Sequence, residues 1–125
     1  MNGDESPTQT VARQYLDAWT GRDLDAVRRL LAEDVWVESN LSGPGSPARL
    51  IDTLDRLASH LLKVSMVTET YDGDRAILMY DCLVREPVGA IRMVDFLDVD
   101  GDRIVRIRRV YDVVALNRLL PGFDT

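Results

Sequence analysis

Ile77-x-Met79-x-Asp81-x-Leu83, Ile91-x-Met93-x-Asp95-x-Leu97 and Val105-x-Ile107-x-Arg109-x-Tyr111-x-Val113 decide the reading of this chain. In each stretch every second residue is apolar except one, which is charged. Side chains alternate faces along a strand, so residues two apart share a face. The period predicts three strands, each with one charged group on an otherwise greasy face. Such a group costs free energy unless it is paired, hydrogen-bonded or neutralised. Its recurrence points to a site. Positions 81, 95 and 109 are separated by equal steps of 14. Three-residue loops, Pro87-Val88-Gly89 and Gly101-Asp102-Arg103, predict an up-and-down meander with 81 opposite 95 and 95 opposite 109. Two acids and an arginine then lie in a row in or beside a ligand cavity. A two-residue turn at Asp100-Gly101 is the competing register, and a one-residue slip moves side chains to the other face.

The neighbouring segments extend the pattern. From Lys63 onward the chain reads as strands over 63–71, 75–86, 89–100 and 103–114, with Asp72-Gly73 as a hairpin turn. Upstream, Ser6-Pro7-Thr8-Gln9 reads as a capped helix start. Val11, Ala12, Tyr15, Leu16 and Trp19 follow at helical spacing until Gly21. Asp23 caps a second helix with Leu24, Val27, Leu30 and Leu31 inward. Val35 to Glu38 reads as a short strand, and Leu41 to Pro47 as a Gly/Pro/Ser loop. Ser46-Pro47 opens a third helix with the stripe Leu50, Ile51, Leu54, Leu57, Ala58 and Leu61. Val114 to Leu120 forms a short helical tail. Helices followed by a long meander give an α+β fold: a cone-shaped, curved antiparallel sheet wrapped by three N-terminal helices.

Composition narrows the function. With 125 residues, 46% of them hydrophobic, the chain makes one domain over 1–125 with one core, residues 1–6 being disordered. The net charge of −6 argues against nucleic acid and anionic membrane surfaces as partners. Met1 to Gln9 lacks a signal-peptide pattern and no apolar run reaches membrane-spanning length, so the expected location is cytoplasmic. The single Cys82 excludes an internal disulfide and reads as packing. His60 lies off the apolar stripe, where the helix dipole accounts for it. Trp36 points away from Val35 and Val37, toward a dimer interface.

Tyr15-Leu16-Asp17-Ala18-Trp19, Asp23-Leu24-Asp25-Ala26-Val27, Leu31-Ala32-Glu33-Asp34-Val35 and Asp100-Gly101-Asp102-Arg103-Ile104 resemble the nuclear transport factor 2-like superfamily, in particular its SnoaL-like branch. The resemblance spans nearly the whole chain. It implies homodimers, and the reading of the residues adds a cone whose mouth holds a hydrophobic small-molecule ligand and a chemistry with no metal or cofactor. Superfamily members include isomerases, cyclases, hydrolases and non-catalytic binders. Resemblance to bacterial ketosteroid isomerases implies Tyr15 and a protonated Asp95 as donors to a developing oxyanion. Ser39 stands where those enzymes carry their carboxylate base. Asp81-Cys82-Leu83, Pro87-x-Gly89 and Arg108-x-x-Tyr111-Asp112 resemble limonene epoxide hydrolase-type proteins. There Asp81 falls on a catalytic Asp, Met79 on an Arg, and Arg109 on the second Asp.

The resulting expectation is acid–base chemistry on a hydrophobic substrate, of isomerase, cyclase or epoxide-hydrolase type. Asp81 is the general base, held ionised by Arg109. Asp95, with a raised pKa, is the acid or donor beside Tyr15. Trp19, Val37, Ser39, Met79, Met93, Ile107 and Tyr111 line the substrate cavity. The alternative is a non-catalytic ligand-binding or dimerisation module of the same fold.

Overall fold

A computed structural model describes residues 6–41 and 43–121. Residues 1–5, most of the stretch expected to be disordered, lie outside the described residues. Ser6 does not fit that expectation, because its side chain accepts the Gln9 N–H at 3.1 Å and caps the first helix. The element order is α1 (Pro7–Thr20), α2 (Leu24–Leu30), β1 (Leu31–Ser39), β2 (Gly43–Gly45), α3 (Pro47–Ala58), β3 (Leu61–Asp72), β4 (Arg75–Val84), β5 (Ala90–Asp100), β6 (Arg103–Tyr111) and α4 (Val113–Leu119). Local chemistry sets the helix starts. Asp23, Ser46 and Asp112 each cap the helix that follows through a side-chain oxygen. Arg22, at a φ of 59°, turns the chain between α1 and α2. Its guanidinium reaches Asp55 on α3 at 2.8 Å, tying that corner to the third helix.

Among the described residues one sheet forms, in the order β2-β1-β6-β5-β4-β3. The α+β cone class holds, but the sheet is mixed rather than antiparallel. β1 runs parallel to β6, because the chain between them passes through α3 and the whole meander before returning beside β1. β1 is also longer than the expected 35–38 and begins directly at the end of α2. The helices bury one face of the sheet. Val11, Tyr15 and Trp19 of α1 and Leu50, Leu54 and Leu57 of α3 pack on Leu78, Ile91, Met93, Leu97, Ile104 and Ile107.

The strand register both supports and corrects the sequence-based row. Asp95 lies opposite Arg109, as expected. The route differs: a two-residue turn, Gly101-Asp102, joins the paired Asp100 and Arg103. A bulge between Asp98 and Val99 then restores the expected phase. Asp81, however, lies opposite Arg92, and Asp95 faces Leu78 on β4. The cause is the β4–β5 turn. It runs through 85–88 and closes where the Val84 N–H donates to Gly89 O at 3.0 Å. A connection of even length changes the pairing by an odd number, which exchanges the faces of β4. The buried face of β4 is therefore Ala76, Leu78, Tyr80, Cys82 and Val84, while Ile77, Met79, Asp81 and Leu83 lie on the outer side, partly exposed.

A buried carboxylate–guanidinium candidate site

Asp95 and Arg109 are central residues of β5 and β6, at 0% and 1% exposure. Arg109 Nε donates to Asp95 Oδ1 at 2.8 Å. Tyr80, from the inner face of β4, donates its hydroxyl to Asp95 Oδ2. The guanidinium lies between two rings, 5.4 Å from the Trp19 centroid and 5.1 Å from that of Tyr111. Its Nη2 is directed to the Met93 sulfur at 4.0 Å. β4, β5, β6 and α1 together build this cluster, so no segment shorter than the meander plus the first helix could hold it.

The cluster keeps its phenols protonated. Burial pushes the Tyr80 hydroxyl well above its ordinary pKa, and Asp95 adds to the effect. Burial likewise raises Tyr15 and Tyr111. Burial works against the charge of Arg109, yet Asp95 holds its pKa well above the ordinary value. Burial also pushes the Cys82 thiol up to about 12, so this cysteine is a packing residue. Three buried donors have no hydrogen-bond partner among the described residues: Tyr15 Oη, Trp19 Nε1 and Arg109 Nη1. Buried donors in folded proteins are normally satisfied, so three unsatisfied ones in the cluster built on the Asp95–Arg109 pair require explanation.

A cleft leads to the cluster from the end of β1 and the start of α3. Val37, Ser39, Leu50, Thr53, Arg109 and Tyr111 border it, and this partly open cleft has a volume of about 30 Å³. That is room for a water molecule or a small polar head group. Asp95 sits behind Arg109 as seen from this cleft, since the cleft wall includes Arg109 and not the carboxylate.

The structure thus brings together most of the residues singled out from the sequence. Asp95, Arg109, Tyr15, Trp19, Met93, Ile107 and Tyr111 lie on the inner side, and Val37 and Ser39 border the cleft. Two placements are corrected. Met79 is on the outer side of the sheet. So is Asp81, whose Oδ1 accepts from Arg92 Nε at 2.8 Å. Hydrogen bonding from Arg92 holds the Asp81 carboxyl below its usual range. Its ionising partner is therefore Arg92 and not Arg109. Sequence reading missed Tyr80, Arg49 and Leu50. A signal for Tyr80 existed: the even positions 76–84 carry no charge at all, whereas the odd set includes Asp81. Among the described residues, no group of three or more His, Cys, Asp or Glu side chains is placed to hold a metal ion. No described helix is long and apolar enough to cross a membrane.

Comparison with known proteins agrees with this architecture. A protein from Kribbella flavida DSM 17836 is 25% identical, with a TM-score of 0.78 over 88% of this chain and 90% of that one. A candidate SnoaL-like polyketide cyclase from Shewanella putrefaciens CN-32 is 18% identical, with a TM-score of 0.74 over 94% and 88%. An LEH-like epoxide hydrolase from M. tuberculosis is 19% identical, with a TM-score of 0.68 over 91% and 89%. The latter two similarities establish shared fold alone. None of the curated proteins compared matches the sequence. The family model described as SnoaL-like domain matches residues 12–107, and the chain therefore belongs to the SnoaL-like family, with the NTF2-like cone fold.

Proposed function

We propose that this protein admits a small, largely hydrophobic molecule into the cleft and acts on it by acid–base chemistry of isomerase, cyclase or epoxide-hydrolase type. The observation that carries this reading is the set of three unpartnered buried donors, Tyr15 Oη, Trp19 Nε1 and Arg109 Nη1, in the cluster that also holds one inward carboxylate. Of these, Tyr15 Oη and Trp19 Nε1, fixed in a buried site, suit an oxygen on which negative charge develops. Asp95 takes the role first given to Asp81: it accepts a proton from the substrate, or in epoxide opening from the attacking water, and returns it to the product. Tyr80 and Arg109 occupy two of its lone-pair positions, and a carboxylate has about four.

One observation favours the second reading, a non-catalytic binding module. The cleft volume is small and Asp95 stands behind Arg109, so a ligand meets the guanidinium before the carboxylate. Turnover of the isosteric Asp95→Asn variant separates the two, measured on a panel of unconjugated enones and epoxides. The enzyme reading predicts a fall of about 100-fold or more, with the circular dichroism spectrum and the binding of unreactive analogues retained. Wild-type protein that binds panel members and converts none of them favours the module. Equal turnover by wild type and variant removes Asp95 from the chemistry.

The homodimer belongs to the same proposal. The outer side of the sheet supports it, with Trp36 50% and Val110 43% exposed.

A further inference from the structure

We infer that the cleft recognises the anionic head of its ligand, a carboxylate, through Arg109 and Arg49. The inference rests on the small-molecule reading of this same cleft and names the class of molecule. Arg49, from the first turn of α3, and Arg109, from the inner end, both border the cleft. Arg109 spends Nε on Asp95 and directs Nη2 to the Met93 sulfur, which leaves Nη1 without a partner among the described residues. A rigid guanidinium with an unused N–H is matched in shape and charge to a carboxylate oxygen.

The local charge balance points the same way. Asp95 is the direct partner of Arg109, so this pair contributes no net charge. Glu38 also borders the cleft, but alternation along β1 places its side chain on the outer side with Trp36. There it accepts the Trp36 indole N–H at 2.8 Å and lies 3.7 Å from Arg106. Arg49, exposed at the mouth of the cleft, then adds a positive charge that Glu38 does not offset from the inner side. The positive end of the α3 dipole adds to it, since Ser46 caps that helix at the cleft. Val37, Leu41 and Leu50 supply an apolar wall for the body of the ligand. A cleft of this volume accepts a head group and not a whole molecule, so the body lies along that wall.

The test is an NMR titration of the ¹⁵N-labelled full chain with benzoate and, separately, benzamide, in wild type and in Arg49→Gln. The expected result is saturable benzoate binding centred on the end of β1 and the start of α3, with benzamide about tenfold weaker or more. Arg49→Gln weakens benzoate about tenfold and leaves benzamide unchanged. Equal binding of the two probes overturns the inference, as does an Arg49→Gln variant that binds benzoate like wild type. Absence of any saturable benzoate shift overturns it too. The enone and epoxide panel carries no anionic group, so loss of turnover in Asp95→Asn can succeed while the carboxylate inference fails, or the reverse.

Discussion

Asp95 and Arg109 illustrate how little a buried ion pair reveals about its value from geometry alone. Each partner is almost wholly desolvated, and their contact returns that cost only while both remain. Arg109→Met leaves the Asp95 charge unpaired and is expected to cost about 3–5 kcal/mol in chemical denaturation. Asp95→Leu combined with Arg109→Met is expected to cost less than either single change; a double variant as unstable as the sum of the two would contradict the coupling. Asp81 behaves differently, because its partner Arg92 is 58% exposed. Asp81→Asn is expected to change stability by about 1 kcal/mol or less and to leave ligand binding unchanged. The sign of its pH dependence follows from the lowered folded-state pKa. Its stabilising contribution is present above the unfolded value of about 4 and is lost as pH falls through the lower folded value. Wild type and variant should therefore converge in acid, and denaturation curves across pH 2–7 check this.

At the scale of elements, turns decide which side chains meet. The Gly101-Asp102 turn and the bulge at Asp98/Val99 together place Asp95 against Arg109. Gly101 has a φ of 63° with open space around its Cβ position, so Gly101→Ala strains only the backbone. A loss of about 1 kcal/mol is expected from thermal or chemical unfolding; a loss several times larger would mean that the register itself had moved. Legibility followed the same line. α1, α2 and α3 were readable because Ser6, Asp23 and Ser46 mark their starts and Gly21 ends the first. The Asp95–Arg109 pairing was readable because a two-residue turn plus a bulge gives the same phase as a three-residue turn. The position of Asp81 was not, because β4 is apolar on both faces and its side is set by the parity of the turn at 85–88. The parallel partnership of β1 with β6 left no local trace at all, since it joins segments far apart in the chain.

The whole molecule separates two surfaces with different tasks. The inner side of the sheet and the helices enclose the candidate site, while the outer side carries Trp36, Val110, Phe96 and the Asp81–Arg92 pair. Homodimerisation through the outer side predicts a light-scattering mass of twice the 14.1 kDa chain. It also predicts a shift to monomer in Trp36→Arg, with binding at the inner cleft retained. A wild-type mass of one chain would contradict it. The account stands or falls on whether the buried donors in the cluster with Asp95 are ligand-binding groups. An electron-density map from crystals of the purified protein addresses this most directly. The account predicts an ordered oxygen, from water or ligand, within hydrogen-bond reach of Arg109 Nη1, with Asp95 and Arg109 facing inward. Density showing Arg109 turned out to bulk solvent, or Nη1 satisfied by a protein carbonyl with the cleft closed, would contradict it.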